Sequence, residues 1–162
     1  MAKLFVQMSV SLDGYIEDGD GNMDWFAGDP AFDEVLTTTL RGIDGMVFGR
    51  RAHALGATYW PTAADGTETV EVAEQIALMN SLPKYVLTHG KEESGWPNSH
   101  AVAIEELTRL KAEARRPIAL FAGARAAQAA LASAQVDELR LIHYPVILGG
   151  GTALFAADAA SR

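Results

Sequence analysis

Three short segments place anion-holding residues at the ends of strand-like runs. Gly49-Arg50-Arg51 follows the apolar run Ile43–Phe48 and opens a short helix through Leu55. Two guanidiniums beside the free N–H groups of a helix start suit a phosphate, although arginines also follow strands simply as solvated charges. Leu87-Thr88-His89-Gly90 closes the run Tyr85–Thr88. Thr88 could hydrogen-bond a ribose or a phosphate and His89 could add charge to a 2′-phosphate, or the four residues form a plain surface turn. Ala122-Gly123-Ala124-Arg125 closes Pro117–Phe121 and leads into an Ala-rich helix. Gly123 permits either close approach of a ligand to the backbone or tight helix–sheet packing. Arg125 either pairs with a pyrophosphate or decorates the helix.

Other chemistries find less support. The N-terminal carboxylates are Asp13, Asp18, Asp20, Asp24, Asp29, Asp33 and Glu34. Most are expected to be solvated, and Asp29 is expected to cap a helix. Asp33, on the first turns of that helix, is the candidate acid or substrate anchor. His53, His89, His100 and His143 share no metal-ligand spacing, so no metal site is expected. Glu17–Asn22 fits a calcium loop only loosely and reads as a surface loop. No Gly-x-Ser-x-Gly elbow supports a hydrolase triad, and no Gly-x-Gly-x-x-Gly follows the first strand.

The elements that must position these residues alternate along the chain. Leu4–Val10 reads as a strand, with Tyr15-Ile16 as a further short extended piece. Asp29-Pro30 starts a helix whose stripe is Phe32, Val35, Leu36 and Leu40, stopped by Gly42. Ile43–Phe48 reads as a central strand. Thr67–Leu82 reads as a helix burying Val70, Ala73, Ile76, Ala77 and Leu82, ended by Pro83. Tyr85–Thr88, Ala101–Ala103, Pro117–Phe121, Val136–His143 and Val146–Leu148 are the remaining expected strands, and Ile104–Arg115 a further helix. Strands alternating with helices throughout predict one α/β domain over 1–162, a three-layer sandwich.

The bulk numbers narrow the class. A chain of 162 residues with 49% hydrophobic and 21% charged content fits an ordinary globular domain. A formal net charge of −8 argues against a general nucleic-acid or membrane-surface partner. The chain has no cysteine, so neither disulfide nor thiolate chemistry is available. No signal peptide is visible, and a cytoplasmic location is the default expectation.

Taken in order, the segments resemble the dihydrofolate-reductase-like superfamily. They resemble in particular stand-alone relatives of the C-terminal reductase domain of bifunctional riboflavin biosynthesis enzymes. The matching residues are Ser11-Leu12-Asp13-Gly14-Tyr15-Ile16, Met23-Asp24-Trp25-Phe26, Val47-Phe48-Gly49-Arg50-Arg51, Val86-Leu87-Thr88, Ala122-Gly123-Ala124, Val136-Asp137-Glu138-Leu139, and Pro145–Gly151 with Leu154-Phe155. The resemblance implies a central mixed, mostly parallel sheet, an NADPH site and hydride transfer to a pyrimidine- or pterin-like ring. It implies that Gly49, Arg50 and Arg51 hold cofactor phosphates and that Thr88 and His89 lie near the adenosine ribose and its 2′-phosphate. Ala122, Gly123, Ala124 and Arg125 would then face the pyrophosphate, and Ser9 and Ile16 would border the nicotinamide. Glu17–Trp25 would form the active-site lid, and a homodimer is expected.

Four departures qualify what is expected. Ala122 stands where the family usually has the first glycine of a pair, and Ala52 where it often has threonine. The chain ends at Arg162, so the family's closing C-terminal hairpin is expected to be missing. Registering on Asp29-Pro30 puts Phe32 at the pterin-holding carboxylate of dihydrofolate reductases. Asp33 lies one step on, which rotates it by about 100° on a helix. The alternative expectation is a nucleotide-binding protein of the same fold without turnover.

Overall fold

The strand β1 (Leu4–Val10) is buried at all seven positions, because it is an interior strand, flanked on both sides, of a sheet covered on both faces. In this computed structural model, residues 1–26, 29–90 and 95–155 are described, the side chain of Ala122 excepted. The other strands are β2 (Tyr15–Glu17), β3 (Gly45–Gly49), β4 (Lys84–Leu87), β5 (Ser99–Val102), β6 (Ile118–Ala122), β7 (Glu138–His143) and β8 (Thr152–Ala153). The helices are α1 (Pro30–Arg41), α2 (Arg50–Tyr59), α3 (Val70–Ser81), α4 (Leu107–Glu113) and α5 (Ala124–Ala132).

Six strands form one sheet in the order β5-β4-β3-β6-β1-β7, and every pairing in it is parallel. The antiparallel pairing lies in a separate ribbon of β2 and β8. Alternate residues of the strands feed two cores. Leu4, Val6, Met8 and Val10 pack with Leu107, Leu110, Ala127 and Ala130 from α4 and α5. Phe5, Met46 and Phe48 pack with Leu36, Leu40 and Met79 from α1 and α3, and with Trp96. The layers expected from the sequence are therefore present, with helices on both faces of a parallel sheet.

Four local expectations are corrected. Val146–Leu148 is not a strand: the segment turns, and its N–H groups go to Tyr144 O and to the Asp13 carboxylate. The third helix starts at Val70 behind the N-cap Thr69 rather than at Thr67. Its buried face is Gln75, Ile76 and Met79, while Val70, Ala73 and Ala77 are exposed. A polar pair decides that orientation, since Gln75 Nε2 donates to Thr37 Oγ1 of α1 at 3.3 Å inside the helix–helix contact. Val35 is likewise exposed on α1, whose buried face is Leu36, Thr37 and Leu40. Ser94 and the tail 156–162 lie outside the described residues.

Candidate functional site

In a parallel sheet all strands finish on one edge, so residues just past them are brought together whatever their separation in sequence. The chain leaves β1, passes over the position of β6 to build β3, β4 and β5, and only later inserts β6 between β1 and β3. Helices α2 and α5, which follow β3 and β6, therefore pack on opposite faces and open a crevice between their N-termini. A cleft of about 1230 Å³ occupies that edge.

Ten of the twelve residues singled out from the sequence line this cleft. They are Ser9, Ile16, Gly49, Arg50, Arg51, Thr88, His89, Gly123, Ala124 and Arg125. Ala122 ends β6 and pairs with Phe48. No cis peptide occurs among the described residues. Asp33 is the exception: it is exposed on α1, and its carbonyl, not its carboxylate, meets α3 through Gln75. The one-residue step from Phe32 explains this. Phe32 points inward, and the next residue turns to solvent.

Two helix starts at the cleft lack the caps found elsewhere. Asp29 caps α1 by accepting from Ala31 N, and Thr69 caps α3 by accepting from Val72 N. Gly49 and Gly123 precede α2 and α5 with no side chain to accept from the first turn. Both helix starts line the crevice with Arg50, Arg51 and Arg125, an arrangement suited to an anion. Gly123 has φ +96°, and a Cβ built on it would lie 3.5 Å from the Gly49 Cα. The two strand ends thus meet backbone to backbone.

Arg51 also reaches across the cleft. Its guanidinium lies 3.8 Å from the Glu17 carboxylate on β2, which accepts the Thr152 hydroxyl at 3.1 Å. Arg51 is largely exposed, so this pair is weak enough for a competing anion to recruit it.

The ribbon that closes the cleft is held by contacts far apart in sequence. Asp13 accepts from the Ser11 hydroxyl at 2.6 Å, from Leu148 N at 3.1 Å and from Gly149 N at 2.8 Å. Those donors, the Ser11 hydroxyl above all, hold its pKa down at about 2. The Leu148–Gly149 turn therefore wraps the Asp13 carboxylate. Gly151, at φ +130°, lies so close under the Glu17 and Asp18 backbone that any Cβ there would collide. Because the folded pKa lies below the unfolded value near 3.8, the contribution of Asp13 is complete above about pH 4 and is lost as pH falls toward 2. Acid unfolding of Asp13→Asn should therefore show a deficit against the parent protein at pH 7 that closes by pH 2.

A small chamber of about 120 Å³ adjoins the cleft. Met8, Ser9, Phe26 and Phe121 line both spaces, and Gln7, Phe32, Leu36, Met79 and Ile142 complete the chamber. Phe121 reaches it because the β3–β6 register shifts between Val47 and Phe48, which partner Leu120 and Ala122 and leave Phe121 as the extra residue. Sequence reasoning missed Phe121 and Thr152 as cleft residues, while Glu17 had a signal as part of the expected lid 17–25 and Phe26 as part of the Met23–Phe26 element. Within the cleft wall, buried His53 is used structurally: it hydrogen-bonds Ser99 Oγ at 2.8 Å and stacks on Trp96.

The architecture, with the crevice at its switch point, is a dihydrofolate-reductase-like fold. Dihydrofolate reductase of Enterococcus faecalis, in complex with NADP(H), superposes with a TM-score of 0.62 over 96% of this chain and 79% of its own, at 14% identity, a likeness of fold. Over residues 2–161 the chain matches the RibD C-terminal domain and belongs to that family. A Shewanella sp. PV-4 protein named for riboflavin biosynthesis is 25% identical, with a TM-score of 0.70 over 99% of this chain and 86% of its own. The Thermotoga maritima diaminohydroxyphosphoribosylaminopyrimidine deaminase/5-amino-6-(5-phosphoribosylamino)uracil reductase shares the fold, with a TM-score of 0.65 at 15% identity. That match covers 99% of this chain and 50% of the larger protein. The uncharacterized protein YyaP of Bacillus subtilis (strain 168) is 32% identical over 158 residues, 94% of this chain and 80% of YyaP. No helix among the described residues is long and apolar enough to cross a membrane.

Proposed function

We propose that this chain is an NADPH-dependent reductase of a small nitrogen heterocycle. The observation that supports it best is the pair of uncapped helix N-termini meeting at Gly49 and Gly123, with three arginines on the same cleft. A dinucleotide pyrophosphate fits that junction, since it needs clustered N–H donors and close backbone approach. Arg50, Arg51 and Arg125 would neutralise its charge, and Thr88 and His89 would contact the ribose and 2′-phosphate. When bound, the cofactor supplies a hydride from the nicotinamide ring. Ser9 and Ile16 would set that ring's position at the mouth of the chamber, and Phe26 and Phe121 would keep bulk water from its face. With Asp33 on the outer surface, the proton that accompanies reduction would be drawn from water reaching the open side of the cleft.

Thermal unfolding with NADPH and NADH tests the reading. At about 100 Kd, NADPH should stabilise by roughly 2.7 kcal/mol and raise Tm by about 5–10 °C, with NADH weaker at equal concentration. Arg50→Ala should raise the NADPH Kd about tenfold. No shift with either nucleotide would overturn the proposal. Binding without oxidation of NADPH by any heterocycle would favour the non-catalytic alternative.

A further inference from the structure

The chamber beyond Ser9 differs in character from the cleft that feeds it. Its walls are the aromatic rings of Phe26, Phe32 and Phe121 and the aliphatic or thioether side chains of Leu36, Met79 and Ile142. Among the described residues no lysine, arginine or histidine lines it, and all of the cleft's arginines lie on the helix starts at the phosphate-suited junction. Its polar groups are neutral. The Gln7 side-chain oxygen is already engaged by the Thr39 hydroxyl at 3.0 Å. The Ser9 hydroxyl is 7% exposed and lines both spaces, with the Tyr144 phenol as a polar neighbour. A ligand carbonyl placed against that hydroxyl would accept from it.

The surroundings add negative charge, not positive. Tyr144 packs edge-on against Trp25 and at 5.7 Å from the Phe26 ring, immediately behind the chamber wall. Its phenol is buried beside the Asp29 carboxylate and the Ser9 hydroxyl. Burial first, and then the nearby Asp29 and Asp33 carboxylates, hold its pKa up. A dianionic phosphate brought into the chamber would meet apolar walls and neutral polar groups with no cation to compensate. The volume is also limiting: about 120 Å³ is in the range of the roughly 150 Å³ apolar cavity that admits benzene.

We propose that the chamber takes an uncharged single-ring heterocycle bearing carbonyl groups, one of them against Ser9 Oγ, and that the protein does not recognise a phosphate on this substrate. The proposal rests on the reductase reading and departs from the phosphoribosyl substrate in the name of the Thermotoga maritima enzyme. It means that the substrate is a product of dephosphorylation, or of a route that never phosphorylates it.

Calorimetric titration with matched compounds tests this. The compounds are 5-amino-6-(5-phosphoribosylamino)uracil, its phosphate-free riboside and 5,6-diaminouracil. Each is titrated into protein saturated with NADP⁺ and into cofactor-free protein. The two phosphate-free compounds should bind, and the phosphate should improve Kd by less than tenfold. Ile142→Trp, which fills the chamber, should weaken the free ring at least tenfold while keeping the Tm rise with NADPH. A phosphorylated compound binding ten times tighter or more overturns the proposal, as does failure of every phosphate-free ring to bind. If NADPH gives no Tm rise, the reductase reading falls instead, and the titration of cofactor-free protein decides the chamber alone. If Ile142→Trp does not fold, the matched-compound comparison on the parent protein still decides.

Discussion

Replacing Lys84 with methionine should cost about 3 kcal/mol of stability and lower Tm by roughly 6–12 °C. Lys84 is wholly buried in β4, and its ammonium donates to the carbonyls of Met79 at 2.8 Å, Asn80 at 3.0 Å and Leu82 at 2.6 Å. These are carbonyls at and just beyond the end of α3, where a helix leaves acceptors unsatisfied and its dipole favours a cation. The charge also sits 4.9 Å over the Trp96 ring, whose Nε1 donates to Asn80 at 2.9 Å. Methionine fills the volume but has no donor. It relieves the burial of a charge, yet it strands three carbonyls at roughly 1–3 kcal/mol each, and the second effect is larger.

The pH dependence of that loss separates the two effects. Burial pulls the Lys84 pKa from 10.5 to about 8, so the ammonium is charged at neutral pH. Between about pH 8 and 10.5 the unfolded chain holds a proton on Lys84 that the folded chain has released, so this group's contribution rises with pH across that window. Denaturant unfolding of the parent and Lys84→Met should give a constant difference below about pH 8 and a wider one by pH 10. A difference that narrows over that range would mean that the carbonyl set holds the folded-state pKa above 10.5, outweighing burial of the charge.

Lys84 also illustrates why part of this molecule could not be read from its sequence. Strand ends were legible because a parallel sheet forces them onto one edge. Once Ile43–Phe48, Tyr85–Thr88 and Pro117–Phe121 were recognised as strands, the residues after them had to converge, as Gly49, Thr88 and Gly123 do. The strand Leu4–Val10 and the Asp29-Pro30 helix start were legible for local reasons, apolar composition and capping. Contacts between distant segments leave no such mark. The role of Asp13 was not legible until Leu148 and Gly149 came to it from 135 and 136 residues away. The same clamp turned Val146–Leu148, a fair strand by composition, into an irregular segment. Asp33 was misassigned because the register of one helical residue decides between cavity and solvent. The rotation of α3 rests on one Gln75–Thr37 hydrogen bond that apolar counting does not see.

Gly123→Val should abolish most cofactor affinity, raising the NADPH Kd at least 100-fold, a loss of about 2.7 kcal/mol. Gly123 has φ +96° and ψ 103°, a conformation that a β-branched residue does not adopt without strain on the order of 1–3 kcal/mol. Relief of that strain requires the β6–α5 junction to turn, which swings the first N–H groups of α5 away from those of α2. Without turning, the added methyl groups crowd toward Gly49 and the Ala126 side chain, 3.5 and 3.7 Å from the first added carbon. Either way the backbone junction proposed to hold the pyrophosphate is lost. Stability should fall by about 2 kcal/mol at the same time, so a general loss of structure must be told apart from a local one. Lys84→Met supplies that control, because it lies outside the cleft and should be at least as destabilised. NADPH titration at a temperature where both variants are folded should leave Lys84→Met within threefold of the parent and Gly123→Val at least 100-fold weaker. Equal weakening in both would trace the effect to stability and remove the glycine junction from the cofactor site.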